Sequence, residues 1–118
     1  MKVLITGAAG FMGSHLLDYL MPKHTVVGVD NFSLGQYHHP KIYRVELTDF
    51  GQTKQFIDDF QPHVLIHMAA WAHEGLSQFA PIKITQNNHA AFLNTLIPAI
   101  QNGVKRVVLT SSMSVYGD

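Results

Sequence analysis

Short apolar runs alternate along this chain with longer stretches in which apolar residues recur at helical spacing. The first run, Val3-Leu4-Ile5-Thr6, has no polar alternation and reads as a parallel strand buried on both faces. A helical stripe of Phe11, Leu16, Leu17 and Leu20 follows, stopped by Pro22. The stretch from Thr25 to Asp30 reads as a second strand, and Asn31 to Lys41, with Gly35 and Pro40, as a loop. A short third strand is expected from Ile42 to Leu47, then an amphipathic helix from Phe50 to Phe60, ending before Pro62. Val64 to Met68 reads as the fourth strand, followed by a loop to about Pro81. A long helix is expected from Ile82 to Gln101, closed by Asn102-Gly103 and bent in its last turn by Pro98. Arg106 to Ser111 reads as the fifth strand.

Strands alternating with helices imply right-handed crossovers and a parallel sheet covered on both sides. The expected fold is therefore α/β: a doubly wound Rossmann sheet of about five strands in the order 3-2-1-4-5. Residues 1–118 form one such domain, read as truncated after the fifth strand, whose edge and apolar surface lack the cover a finished sheet would give them.

Eight Lys+Arg against eight Asp+Glu give a net charge of zero. The broad basic face that nucleic acid or an anionic membrane surface requires is thereby excluded. Hydrophobic residues at 47% with 14% charged describe a folding chain rather than a disordered one. The absence of cysteine removes disulfides, thiolate nucleophiles and zinc-thiolate sites. No apolar run approaches a membrane span, and the start is too short in apolar residues for a signal peptide, so a cytoplasmic location is expected.

The chemistry concentrates between the first strand and the first helix, where Gly7, Gly10 and Gly13 stand in Gly-x-x-Gly-x-x-Gly spacing. Gly7 permits the tight turn, Gly10 lets a pyrophosphate approach the backbone, and Gly13 lets the helix sit close to the strand. The helix N-terminus then offers free N–H groups to the anion. Asp30, about 20 residues on at the end of the second strand, is placed to accept from ribose hydroxyls. That carboxylate would repel the phosphate NADP brings, Asn31 rather than Arg or Lys follows it, and no basic residue occurs before Lys41, which favours NAD over NADP.

With Thr6 to Gly13, Asp30-Asn31, His67-Met68-Ala69-Ala70, Asn87-Asn88 and the run from Thr110 to Gly117 in order, the chain resembles the extended short-chain dehydrogenase/reductases. Within them it is similar to the NAD-dependent nucleotide-sugar epimerase/dehydratase branch, in its N-terminal, cofactor-binding part. The resemblance implies NAD contacts from Phe11 and Met12 beneath the pyrophosphate. It places Asp30, Asn31, Phe32, Ser33, Leu34 and Gly35 around the adenosine ribose, and Glu46 and Leu47 beside the adenine. Met68, Ala69, Ala70, Ala72, Asn87 and Ser111 are implied along the remainder of the cofactor. Glu46 stands where the family usually has Asp, and Ala72 where epimerases often carry Lys.

Ser112 matches the family's catalytic serine, which also borders the cofactor. Its Tyr-x-x-x-Lys partners belong to a helix downstream of the Val115-Tyr116-Gly117 turn and are absent from these residues. Two spacings imitate that unit, Tyr19 with Lys23 and Tyr37 with Lys41, but Pro22 and Pro40 interrupt them. The eight histidines do not form a ligand set: His63 and His67 bracket a strand and stand ~13 Å apart at strand rise. The resulting expectation is an NAD-binding domain without turnover of its own. A nucleotide sugar would enter if another chain completed the site. An NAD-sensing or interaction module and one half of a split enzyme are the alternatives, with homo-oligomers formed through the uncovered strand.

Overall fold

The computed structural model describes residues 1–32, 39–68 and 81–109, with the backbone alone for 81–87. Five strands, β1 (Lys2–Thr6), β2 (Thr25–Asp30), β3 (Ile42–Arg44), β4 (Val64–His67) and β5 (Arg106–Leu109), form one sheet in the order β3-β2-β1-β4-β5. Every pairing is parallel. The helices are α1 (Phe11–Leu20), α2 (Phe50–Phe60) and α3 (Pro81–Gln101).

The alternation of side chains along β1 explains the two layers of helix. Leu4 points into a core with Val29, Leu65, Ile57, Ala91 and Ala99, which joins the sheet to α2 and α3. Val3 and Ile5 point the other way, into a core with Leu17, Val26, Ile42 and Ala8 beneath α1. A strand that is apolar on both faces can only be satisfied by cover on both, which is the doubly wound arrangement.

Local chemistry fixes the helix boundaries. Asp49 caps α2, its carboxylate accepting the Gln52 N–H at 3.2 Å, and Gln61 ends the helix in the left-handed conformation at φ 54°. Gly103, at φ 78°, follows α3. Asn102 then ties the two helices together, donating to Asp58 Oδ1 at 2.7 Å and to the Pro98 carbonyl at 2.9 Å.

The third strand is shorter than the apolar pattern suggests. β2 ends at Asp30, whose register partner is Arg44, so residues beyond Val45 have no strand to pair with. Val45 makes one last bond to the Asp30 carbonyl at 3.0 Å, and the chain then turns, Asp49 N–H donating to Glu46 O at 2.9 Å. At the other edge all four residues of β5 are exposed, Leu109 by 56%. No described helix is long and apolar enough to cross a membrane.

Candidate functional site

The loop leaving β1 lies at the carboxyl edge of the sheet and is built by backbone contacts. Gly7 adopts φ 72°, a left-handed turn that a side chain disfavours. Its N–H donates to the Val29 carbonyl at 2.9 Å, and its own carbonyl accepts from Gly10 N–H at 3.1 Å. Gly13 packs directly on this turn: a Cβ there would overlap the Gly7 carbonyl oxygen and come within 2.9 Å of Ala8 Cα. A Cβ on Gly10 meets only the Gly7 oxygen, at 3.3 Å.

The start of α1 is left open. Gly10 is its N-cap, no side chain caps the first-turn amides, and no acidic residue occupies that turn. Phe11 and Met12, 79% and 65% exposed, flank those amides. Uncapped N–H groups with the positive end of a helix dipole suit a diphosphate, and a glycine at the cap leaves room for it against the backbone.

Asp30 stands beside this loop and is bonded to it. Its Oδ2 accepts the Ala9 N–H at 3.0 Å and its Oδ1 the Phe32 N–H at 2.8 Å. A carboxylate has lone pairs beyond these two, so both oxygens retain capacity for ribose hydroxyls. Around it lies a polar rim. Asn31 donates to Glu46 Oε1 at 3.1 Å, and Thr48 Oγ1 donates to Glu46 Oε2 at 2.9 Å. Partial burial raises the Glu46 pKa, but the bonds from Asn31 and Thr48 outweigh it and hold the carboxyl below its ordinary value. Arg44 donates to the Asn31 carbonyl at 2.9 Å, and its guanidinium lies over the Phe32 ring at 4.8 Å. That contact supports Phe32 in a left-handed backbone at φ 62°.

On the other side of β1 a buried polar set joins two strand ends. Thr6 Oγ1 lies 2.8 Å from His67 Nδ1 and accepts the Met68 N–H at 3.0 Å. The His67 ring also packs against Phe92, with centroids 5.5 Å apart. Burial pushes the His67 pKa down to about 4, so the imidazole is neutral at physiological pH.

The fold thus gathers Gly7, Gly10, Phe11, Met12, Gly13, Asp30, Asn31, Phe32 and Glu46 along one stretch of the carboxyl edge. The Leu47 side chain is buried in the α2–α3 core, so what it offers a ligand is backbone. Met68 follows β4 and packs partly against the α1-side core. Asn87 lies on α3, described by its backbone only. Ser33, Leu34, Gly35, Ala69, Ala70, Ala72, Ser111 and Ser112 lie outside the described residues. Tyr19 and Lys23 do meet, the ammonium 5.4 Å from the ring centroid, but at the opposite, amino edge of the sheet. Among the described residues no cluster of His, Cys, Asp and Glu could hold a metal ion.

The sequence motifs include Thr6 and His67 without showing that the two bond, and they leave out Arg44. The signal for the first two was available: a threonine and a histidine each closing an apolar strand of a parallel sheet. Arg44 carries no such local mark, because it reaches Asp30 only through strand pairing.

The family model described as the NAD dependent epimerase/dehydratase family matches residues 3–118. Among curated relatives, UDP-glucuronic acid decarboxylase 3 of Arabidopsis thaliana is 36% identical over all of this chain and 35% of its own length. Among solved structures, a UDP-glucose 4-epimerase of Thermotoga maritima with UDP-glucose superposes with a TM-score of 0.89 at 30% identity, over 95% of this chain and 38% of that one. A UDP-glucose 4-epimerase of Thermus thermophilus in complex with NAD gives 0.84 at 33% identity, over 91% and 36%. The chain therefore spans little more than a third of the length of these relatives. By the glycine loop, the acid that closes β2, the strand order and a match over nearly its whole length, it belongs to the NAD dependent epimerase/dehydratase family.

Proposed function

We propose that this chain binds NAD and serves as the cofactor-binding unit of an epimerase or dehydratase acting on a nucleotide sugar. The observation that carries the reading is the uncapped start of α1 beside a glycine turn that Asp30 holds in place. The first-turn amides of α1 receive the diphosphate, with Phe11 and Met12 at its flanks. Asp30 accepts from the adenosine ribose hydroxyls, and Glu46 with the Leu47 backbone borders the adenine. Bound NAD supplies a reversible hydride acceptor. In this reading Ser112 hydrogen-bonds the reacting sugar oxygen, while the base that takes the hydroxyl proton belongs to a Tyr-x-x-x-Lys unit outside these 118 residues. Proton removal by a positioned base is worth ~10²–10⁴-fold, so the 118-residue chain holds the cofactor without oxidising the sugar.

The exposed β5 favours a second role, association through that strand with another copy of the chain.

Calorimetric titration with NAD, followed by incubation with a panel of nucleotide sugars, tests the main reading. Micromolar binding with no reduced cofactor and no sugar product is the expected result. Absence of NAD binding would overturn it, and turnover by the 118 residues would overturn the assignment of the base.

A further inference from the structure

The preference for NAD over NADP reads from the sequence as repulsion of a 2′-phosphate by Asp30 joined to a want of cations, because no Lys or Arg lies between Asp30 and Lys41. The sheet places one there regardless. Asp30 and Arg44 are register partners on adjacent parallel strands, so their side chains share a face about 5 Å apart at the backbone. Ile42 packs into the α1-side core and Val45 into the opposite one, which puts Arg44 on the α1 side. This is the face that carries the glycine loop, and Phe32 packs against the same core.

The guanidinium is also held. Asn31 O takes one of its N–H groups at 2.9 Å, and the Phe32 ring supports its plane at 4.8 Å. Among the described residues no carboxylate lies within ion-pair distance of it. An oriented guanidinium with donors to spare, on the same face of the sheet as the carboxylate that would meet a ribose, suits bidentate recognition of a phosphate.

Resting on the dinucleotide reading above, we propose that Arg44 is a cofactor-specificity residue placed to receive a ribose 2′-phosphate. The choice of NAD is then made by repulsion from Asp30, not by want of a cation. A 2′-phosphate brings up to about two negative charges. In the unaltered chain the Asp30 carboxylate opposes it from one side while Arg44 attracts it from the other, with the ionised Glu46 behind Asn31 adding to the repulsion. Removing the Asp30 charge leaves Arg44 to decide the outcome.

The test is calorimetric titration of NAD and NADP into the wild-type chain, Asp30→Asn, Arg44→Ala, and the double variant, at low and high salt. Wild type should favour NAD. Asp30→Asn should bring NADP to parity or better. Adding Arg44→Ala to it should move the NAD:NADP affinity ratio roughly tenfold or more back toward NAD, the scale of one charge-assisted bond. Arg44 is exposed, so the single variant tests the same ratio even if Asp30→Asn folds poorly. Arg44→Lys should retain a salt-sensitive part of the NADP affinity. A ratio that Arg44→Ala leaves unchanged, including equal loss of both cofactors, overturns the proposal while the NAD-binding reading stands. A wild-type chain that binds neither overturns both.

Discussion

Asp30 Oδ2 lies 3.0 Å from the amide nitrogen of Ala9, which makes the acid at the end of β2 a structural part of the loop at the end of β1. Such an acid is usually considered for the ribose it faces. Here it also fixes the glycine turn, so on the proposed reading the ribose and diphosphate halves of the site share one carboxylate. Asp30→Ala should lower the unfolding free energy by ~1.5–3 kcal/mol, the scale of a hydrogen bond to a charged group. Asp30→Asn, which keeps an oxygen for Ala9, should lose less. Urea denaturation of the cofactor-free chain reads this directly, and equal stability of all three proteins would show that water replaces the bond without cost.

The three-glycine loop separates into positions that serve folding and one, Gly10, that on the proposed reading serves the ligand. A methyl group on Gly13 meets backbone at Gly7 and Ala8, which cannot swing aside. Gly13→Ala should therefore destabilise the chain by ~1–3 kcal/mol, the usual range for overpacking. Gly10→Ala meets one oxygen at 3.3 Å and should shift the melting temperature little. The larger Gly10→Val should abolish NAD binding. Thermal melts and NAD titrations of the variants distinguish the two roles.

His67 makes stability depend on pH. Its pKa is about 4 in the folded chain, against an ordinary value of 6.5, because burial penalises the charged ring. The unfolded chain therefore binds the extra proton first. Stability is fully present above about pH 6.5 and falls as the pH drops toward 4, by about 3 kcal/mol over the full interval. The lowered carboxylates of Glu46 and Asp58 lose their contributions only below their ordinary values of 4.5 and 3.8, Glu46 at the acid end of that window and Asp58 beyond it. Denaturation midpoints between pH 7 and 5 should slope for the wild-type chain and flatten for His67→Gln.

The β5 surface should drive self-association. Val107, Val108 and Leu109 are 36%, 39% and 56% exposed on a strand at the sheet edge. Sedimentation should show a concentration-dependent dimer, and Leu109→Glu should return it to monomer. A monomer at high concentration in both proteins would count against the interface.

Much of this architecture was legible because apolar runs buried on both faces admit few arrangements. The strand order and the limits of β2 and α2 coincide with the pattern of the sequence. The glycine spacing was equally open to reading, since Gly7 and Gly13 answer to local backbone needs. What stayed hidden depended on register. Thr6 and His67 are 61 residues apart and meet only because β1 and β4 align Thr6 with His67. Arg44 comes beside Asp30 in the same way, and the early end of β3 follows from where its partner strand stops.

The sheet order has a consequence for amide hydrogen exchange. β1 is bonded on both sides, to β2 and to β4, whereas β3 has one neighbour and only three residues. Edge segments open locally at low cost, while a central strand exchanges only when most of the domain comes apart. The glycine loop thus hangs from the strand that opens last, and the adenosine rim, through Arg44, from one that opens early. On the proposed reading a bound dinucleotide touches both. Binding should slow exchange in β1 by the full linkage free energy, because β1 opens only when the domain unfolds and releases the ligand, and in β3 by as much only if its local opening also breaks the cofactor contacts.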